Sequence, residues 1–169
     1  MCIRDSNSRF WAAQPDIRAG YVDLLKGHIL DLAQHYHALA QQTAGKQASP
    51  AEAYAAPVRW YREYLDTPPP ADNQASINHR YAEALYAAQD YAGAVAEFER
   101  TAYEYPDYAD ADSAGYFALV AYQALMGGLP TDTEQQAAAR DAWLQRKIAS
   151  SLRFAAAWPA HEQACLLYT

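Results

Sequence analysis

Five histidines are the first side chains in this sequence that could do chemistry, and three of them, His28, His35 and His37, fall close enough together to raise a metal site. On a helix, residues two apart point to different faces, so His35 and His37 cannot hold one ion without distortion. His28 and His35 share a face, but the only carboxylate at a useful step is Asp31. That falls short of the ligand set zinc takes, so solvated or groove histidines are expected, with no metal and no cofactor. Paired carboxylates for acid-base work could be sought in Asp107, Asp110 and Asp112, or in Glu97 and Glu99. The first group precedes a helix, where acidic side chains satisfy free N–H groups and favour the macrodipole, and capping is the simpler role. No glycine and closing Glu follow at the places a calcium loop needs, and no phosphate-binding glycine loop, serine elbow or HExxH stands anywhere. Nothing catalytic is therefore expected. The 14 tyrosines are the most unusual feature. Tyr103, Tyr105 and Tyr108 could stack a ligand, but a ring that buries while its hydroxyl stays at water suits an Ala-rich core short of Ile and Leu.

What positions these side chains is helix. The chain is 51% hydrophobic and 20% charged, its apolar share dominated by Ala and Tyr, which favours helices over strands. Thirteen Lys and Arg against 20 Asp and Glu give a net charge of -7 and a pI near 5.1, no footprint for phosphate backbones or anionic lipid. No apolar run is long enough to cross a membrane. Val22, Leu25, Ile29, Leu32, Tyr36 and Leu39 recur at steps of three and four, predicting an amphipathic helix over residues 20 to 44. A second runs from Ala51 to Asp66, with Pro57 a kink or a late start and Val58, Tyr61 and Leu65 on one face; Pro68 to Pro70 end it. A third is expected from Ser76, as N-cap, to Ala88, and a fourth from Tyr91 to Tyr105 across a turn so short that the two must be antiparallel. Tyr108 to Met126 resumes the pattern until Gly127-Gly128 stops it, and Thr131 or Thr133 caps a sixth helix reaching Ala157.

The two ends read differently. Met1-Cys2-Ile3-Arg4-Asp5-Ser6 resembles the translation of a transposase mosaic-end oligonucleotide, and Cys165-Leu166-Leu167-Tyr168-Thr169 resembles that of its reverse complement. Residues 1 to 6 and 165 to 169 are accordingly set aside as expected artefact, which leaves a cysteine-free segment expected to lack its native N-terminus and so to say nothing of a leader.

Pro68 and Pro106 lie 38 residues apart, and aromatic segments of one type precede Pro68, Pro106 and Pro159. Residues 75 to 108 resemble a tetratricopeptide repeat of about 34 residues, through Ala82, Asp90-Tyr91, Ala94, Phe98 and Pro106 at the family's spacing. The small residues Ala82 and Ala94 stand where that fold brings two helices close. The sequence departs from the pattern at Asn78, where a Trp-like residue is usual, and at Thr101, where a small one is. Residues 91 to 125 resemble more narrowly the repeats of bacterial cell-envelope lipoproteins and periplasmic proteins of the outer-membrane-assembly and cell-division-coordination kinds.

The resemblance implies an all-α solenoid of stacked antiparallel hairpins: a degenerate first hairpin over 7–66, the best repeat over 75–108, a third hairpin over 109–159 with an insertion near 126–133, and the start of another over 160–164. It implies a non-catalytic scaffold, in the periplasm or cell envelope or alternatively the cytoplasm, binding a protein or peptide partner on the concave face that successive first helices line. Carried over, the groove residues are Ser76, His79, Glu83 and Tyr86, with Tyr81, Ala82 and Leu85 inward. In the next hairpin they are Ser113 and Val120, with Tyr116 joining if the helix begins a turn late. Changing Glu83 and Tyr86 to Ala is expected to abolish capture. Two rivals stand beside this: a platform of a larger enzyme such as a lytic transglycosylase, and a structural spacer with no specific ligand.

Overall fold

The computed structural model describes residues 15–43, 49–105 and 107–163, so the terminal segments 1–6 and 165–169 and Pro106 lie outside the described residues. Six helices follow one another: α1 (Pro15–Thr43), α2 (Pro50–Asp66), α3 (Gln74–Ala87), α4 (Tyr91–Glu104), α5 (Ala111–Gly128) and α6 (Glu134–Ala157). No strand occurs among the described residues. Each helix packs on the next in sequence, the pattern of a row of hairpins. One core cluster runs from α1 to α5, and a small second one joins α5 to the end of α6 through Leu119, Phe154 and Ala155.

Helix starts follow local chemistry. Ser49 and Glu52 form a reciprocal capping box at α2, and Thr133 with Gln136 forms another at α6. Asp90 caps α4 by accepting from the Gly93 N–H at 3.0 Å. A Cβ on Gly93 would meet that carboxylate at 2.6 Å, so the cap requires glycine there. α3 departs from expectation. It begins at Gln74 with Asn73 at the N-cap position, and Ser76 sits inside the first turn, donating to the Asn73 carbonyl at 2.9 Å. Asn73 makes no side-chain cap bond because its Oδ1 is taken by the Tyr64 hydroxyl at 2.7 Å. α5 begins at Ala111, later than Tyr108.

The buried stripe of α1 is rotated from the predicted one. Lys26, Ile29, Ala33 and Ala40 are buried, whereas Leu32 and Leu39 are 37% and 44% exposed. Small residues face α2 because α2 delivers bulk: Tyr54, Tyr61 and Tyr64 fill the interface and Pro57 is buried within the helix rather than at its start. Lys26 is buried for a reason of its own. Its Nζ donates to the carbonyls of Thr67 and Pro69 at 2.8 and 2.7 Å and lies 4.7 Å from the Tyr64 ring, so an ammonium satisfies the acceptors left open where prolines end α2.

In the α3/α4 hairpin Ala82, Ala84 and Ala94 are wholly buried and let the helices close on Phe98. The two departures from the repeat pattern meet there. Asn78 is fully buried, and its Nδ2 donates to the Thr101 hydroxyl at 2.9 Å and to the Glu97 carbonyl at 3.0 Å. A polar residue in place of an aromatic one is thus matched by a hydroxyl in place of a small residue.

Candidate partner-binding face

Helices α1, α3 and α5 contribute a set of polar and aromatic groups centred on Glu83. Its exposed carboxylate acts electrostatically on four groups from different parts of the chain: His37 on α1, Tyr61 on α2, His79 on α3 and Tyr108 before α5. The exposed Arg80, one turn away, acts on the same four. Opposite charges at positions i and i+3 of α3 are therefore the charged centre of the surface.

Around that centre the histidines are fixed by tyrosines. His37 Nδ1 lies 3.1 Å from the Tyr61 hydroxyl, and His79 Nδ1 lies 3.1 Å from the Tyr108 hydroxyl. The His79 ring is 8% exposed and stands edge-on to Phe98, Tyr108 and Phe117, with centroids 5.6, 5.9 and 6.2 Å away. Phe117 stacks on Phe98 at 5.7 Å while remaining 40% exposed, an apolar ring presented beside the charged pair. Burial, followed by the Asp110 carboxylate, holds the Tyr108 hydroxyl above its usual range, so it stays protonated.

Of the residues expected in the groove, His79 and Glu83 stand together, the first as a buried wall and the second exposed. Ser76 is half-buried at the start of α3, and Tyr86, also half-buried, meets Tyr91 edge-on at 5.2 Å at the hairpin turn. On α5, Ser113 and Val120 are half-buried, Ser113 donating its N–H to Asp112 Oδ1 at 2.7 Å. Tyr116 turns the other way, toward His161 at 6.0 Å and the Leu119–Phe154–Ala155 cluster, although α5 does begin a turn late. The residue beside His79 is its neighbour Phe117; one position along a helix is a rotation of about 100°, which carries a side chain off the face. Phe117 and Arg80 join the surface without having been singled out by the sequence, together with His37, considered there as a metal or groove histidine, and Tyr108, considered there as a stacking ring. The available signal was register, since Phe117 follows Glu83 by 34 residues, the length expected for a repeat of that type.

His28 and His35 are exposed and His37 is turned to Tyr61; among the described residues no three His, Cys, Asp or Glu side chains converge as metal ligands. No described helix is long and apolar enough to cross a membrane. Compared with family models, curated proteins and solved structures, the chain matches none.

The two histidines give the surface a pH dependence. Desolvation lowers both below the ordinary value, against the raising effect of Glu83 and, at His79, of Asp110; Arg80 adds to the lowering. The unfolded chain therefore binds protons first as pH falls, and stability is lost below about 6.5, down to the folded-state values. Urea midpoints are expected to fall between pH 7.5 and pH 5.5, and the double variant His37→Gln/His79→Gln to flatten that dependence. An unchanged slope in the variant would assign the effect to other groups.

Proposed function

We propose that the chain is a non-catalytic protein-interaction scaffold of tetratricopeptide type that binds a peptide or helix of a partner across α1, α3 and α5. The observation that carries this reading is the exposed Arg80–Glu83 pair beside the exposed ring of Phe117, set on a wall of histidines and tyrosines held by hydrogen bonds. Binding surfaces concentrate energy in such combinations: an aromatic anchor that loses water and polar groups already oriented. The family assignment rests on the spacing of Ala82, Asp90-Tyr91, Ala94, Phe98 and Pro106. A periplasmic or envelope setting rests on the narrower resemblance over residues 91 to 125.

The test is to select peptides from a random display library on the intact chain and measure the winners by fluorescence anisotropy. Glu83→Ala and Phe117→Ala are each expected to weaken binding at least tenfold with circular dichroism unchanged, since truncating a contact of this type removes roughly 1.5–2 kcal/mol. Tyr86→Ala is expected to matter less, because its ring is spent on Tyr91. Selected peptides that bind the Glu83→Ala/Phe117→Ala chain as tightly as the original would sink the assignment of this face.

A further inference from the structure

Away from that surface, α6 splays from α4. An open cleft of about 410 Å³ separates the two helices. Its wall on the α4 side is apolar, from Ala92, Val95 and Ala96, and Ala149 faces them from α6. Its floor is Glu99, whose Oε1 accepts from the Ser150 hydroxyl at 2.6 Å and the Tyr122 hydroxyl at 3.3 Å. Arg146 and Arg153 line it from α6, two helical turns and so about 10 Å apart along the axis.

The sign of the ligand follows from how these groups are used. Arg146 lies 4.9 Å from the Trp143 ring and Arg153 3.5 Å from the Tyr103 ring. The aromatic faces that would attract a cationic ligand are thus covered by guanidinium groups. The ion pairs among the described residues are those of Arg100 with Glu97 and Glu104, so neither cleft arginine is paired with a carboxylate there. A stacked guanidinium keeps its in-plane N–H edge open and its rotamer already restricted, the state that binds a carboxylate at least entropic cost. Glu99 is the one acid in the cleft, and it is engaged by two hydroxyls. Burial and Glu99 raise Tyr122 to about 12, and burial, with Glu99 opposed by Arg153, raises Tyr103 to about 12, so neither contributes a competing phenolate. On a chain of net charge -7, α6 carries Arg140, Arg146, Lys147 and Arg153 against Glu134 and Asp141.

We propose that the α4/α6 cleft binds an acidic peptide segment, seating one apolar side chain against Val95 and its alanine neighbours while flanking carboxylates pair with Arg146 and Arg153. The volume suits one such side chain with its adjoining backbone, at the lower end of the range of roughly 300–1,000 Å³ that ligand pockets occupy.

The probes are Ac-Glu-Phe-Glu-NH2, its Gln-Phe-Gln counterpart and its Lys-Phe-Lys counterpart, titrated into the intact 15N-labelled chain at low salt. The readout is the Trp143 indole N–H resonance, assigned by its loss in Trp143→Phe. The Glu peptide is expected to shift it saturably, at least tenfold more tightly than the Gln peptide, and the Lys peptide not to saturate. Arg146→Gln and Arg153→Gln are each expected to weaken the Glu peptide about tenfold, and added salt to weaken it further. Because Arg153→Gln also removes a contact to Tyr103, Arg153→Lys serves beside it, keeping the charge and losing the planar fork, with an intermediate affinity expected. Glu83→Ala/Phe117→Ala is expected to leave this binding intact, which separates the cleft from the face on α1, α3 and α5. Equal binding of the Glu and Gln peptides, an unchanged affinity in Arg146→Gln/Arg153→Gln, or shifts centred on Phe117 would overturn the proposal.

Discussion

Phe98→Ala is expected to destabilise the chain by about 4 kcal/mol, the cost of removing a buried phenylalanine together with the cavity it leaves. The ring is 1% exposed, stacked on Phe117 and met edge-on by His79, in a hairpin whose neighbours are alanines with no atoms to move into the space. The melting temperature is expected to fall by roughly 10 °C in a chain of this length. Phe117→Ala is the matched control. The same kind of ring at 40% exposure is expected to cost about 1 kcal/mol or less, because most of its burial comes from one face. The pair is expected to divide stability from the proposed recognition: loss of Phe98 to weaken everything, and loss of Phe117 to weaken partner binding while the fold stands. Melts of the two variants that differ by only a degree or two would show that the Phe98 site collapses, and that α3 and α4 are not held apart by that ring.

The helices were legible because breakers and caps act locally. Pro68 to Pro70, the Gln89-Asp90 turn and the Thr133 cap each stop or start an element by chemistry within a few residues, whereas α5 runs on through Gly127-Gly128 and ends at the Leu129 cap, before Pro130. Faces were less legible, since a stripe is chosen by what arrives opposite it. On α1 the leucines at 32 and 39 made the better hydrophobic pattern, but the tyrosines of α2 required the alanines at 33 and 40. The start of α3 was missed for a similar reason, the capping atom of Asn73 being taken by Tyr64 from another helix. Asn78 and Thr101, each a blemish on the repeat pattern when considered singly, are explained by one hydrogen bond across 23 residues. At the candidate face Glu83 was legible from register alone. Arg80 was not, because its importance comes from Tyr61 of α2 and His37 of α1 arriving beside it from other elements.

α6 is the element whose hold on the rest is narrowest, and Gly115→Val is expected to release it. Only Ser150, Phe154 and Ala155 of its residues are buried, all in the C-terminal part, while Leu144, Ile148 and Leu152 are 39%, 45% and 59% exposed along one side. What seats that part is the close approach of two rings to α5 at a glycine: a Cβ on Gly115 would come within 2.7 Å of Trp158 and 2.9 Å of Phe154. Phe154 is fully buried between α5 and α6 and meets Trp158 and His161 at 5.4 and 5.0 Å, so its ring has no exposed side to yield toward. Two opposing effects decide the outcome. Removing a glycine from a helix interior gains roughly 0.5 kcal/mol of helix propensity, and forcing extra carbons into a filled interface costs about 3 kcal/mol at the upper end of the usual range. The net is a loss of about 2.5 kcal/mol, confined to the α5/α6 contact, which corresponds to opening of α6 rising on the order of a hundredfold. Hydrogen exchange is expected to show that rise at the amides of residues 134–157 with α1 to α4 unchanged, and the acidic tripeptide is expected to lose its site, since the cleft exists only while α6 stands beside α4. Uniform loss of protection over all six helices would mean instead that α6 folds as one unit with the others and that its seat on Gly115 is part of the common core.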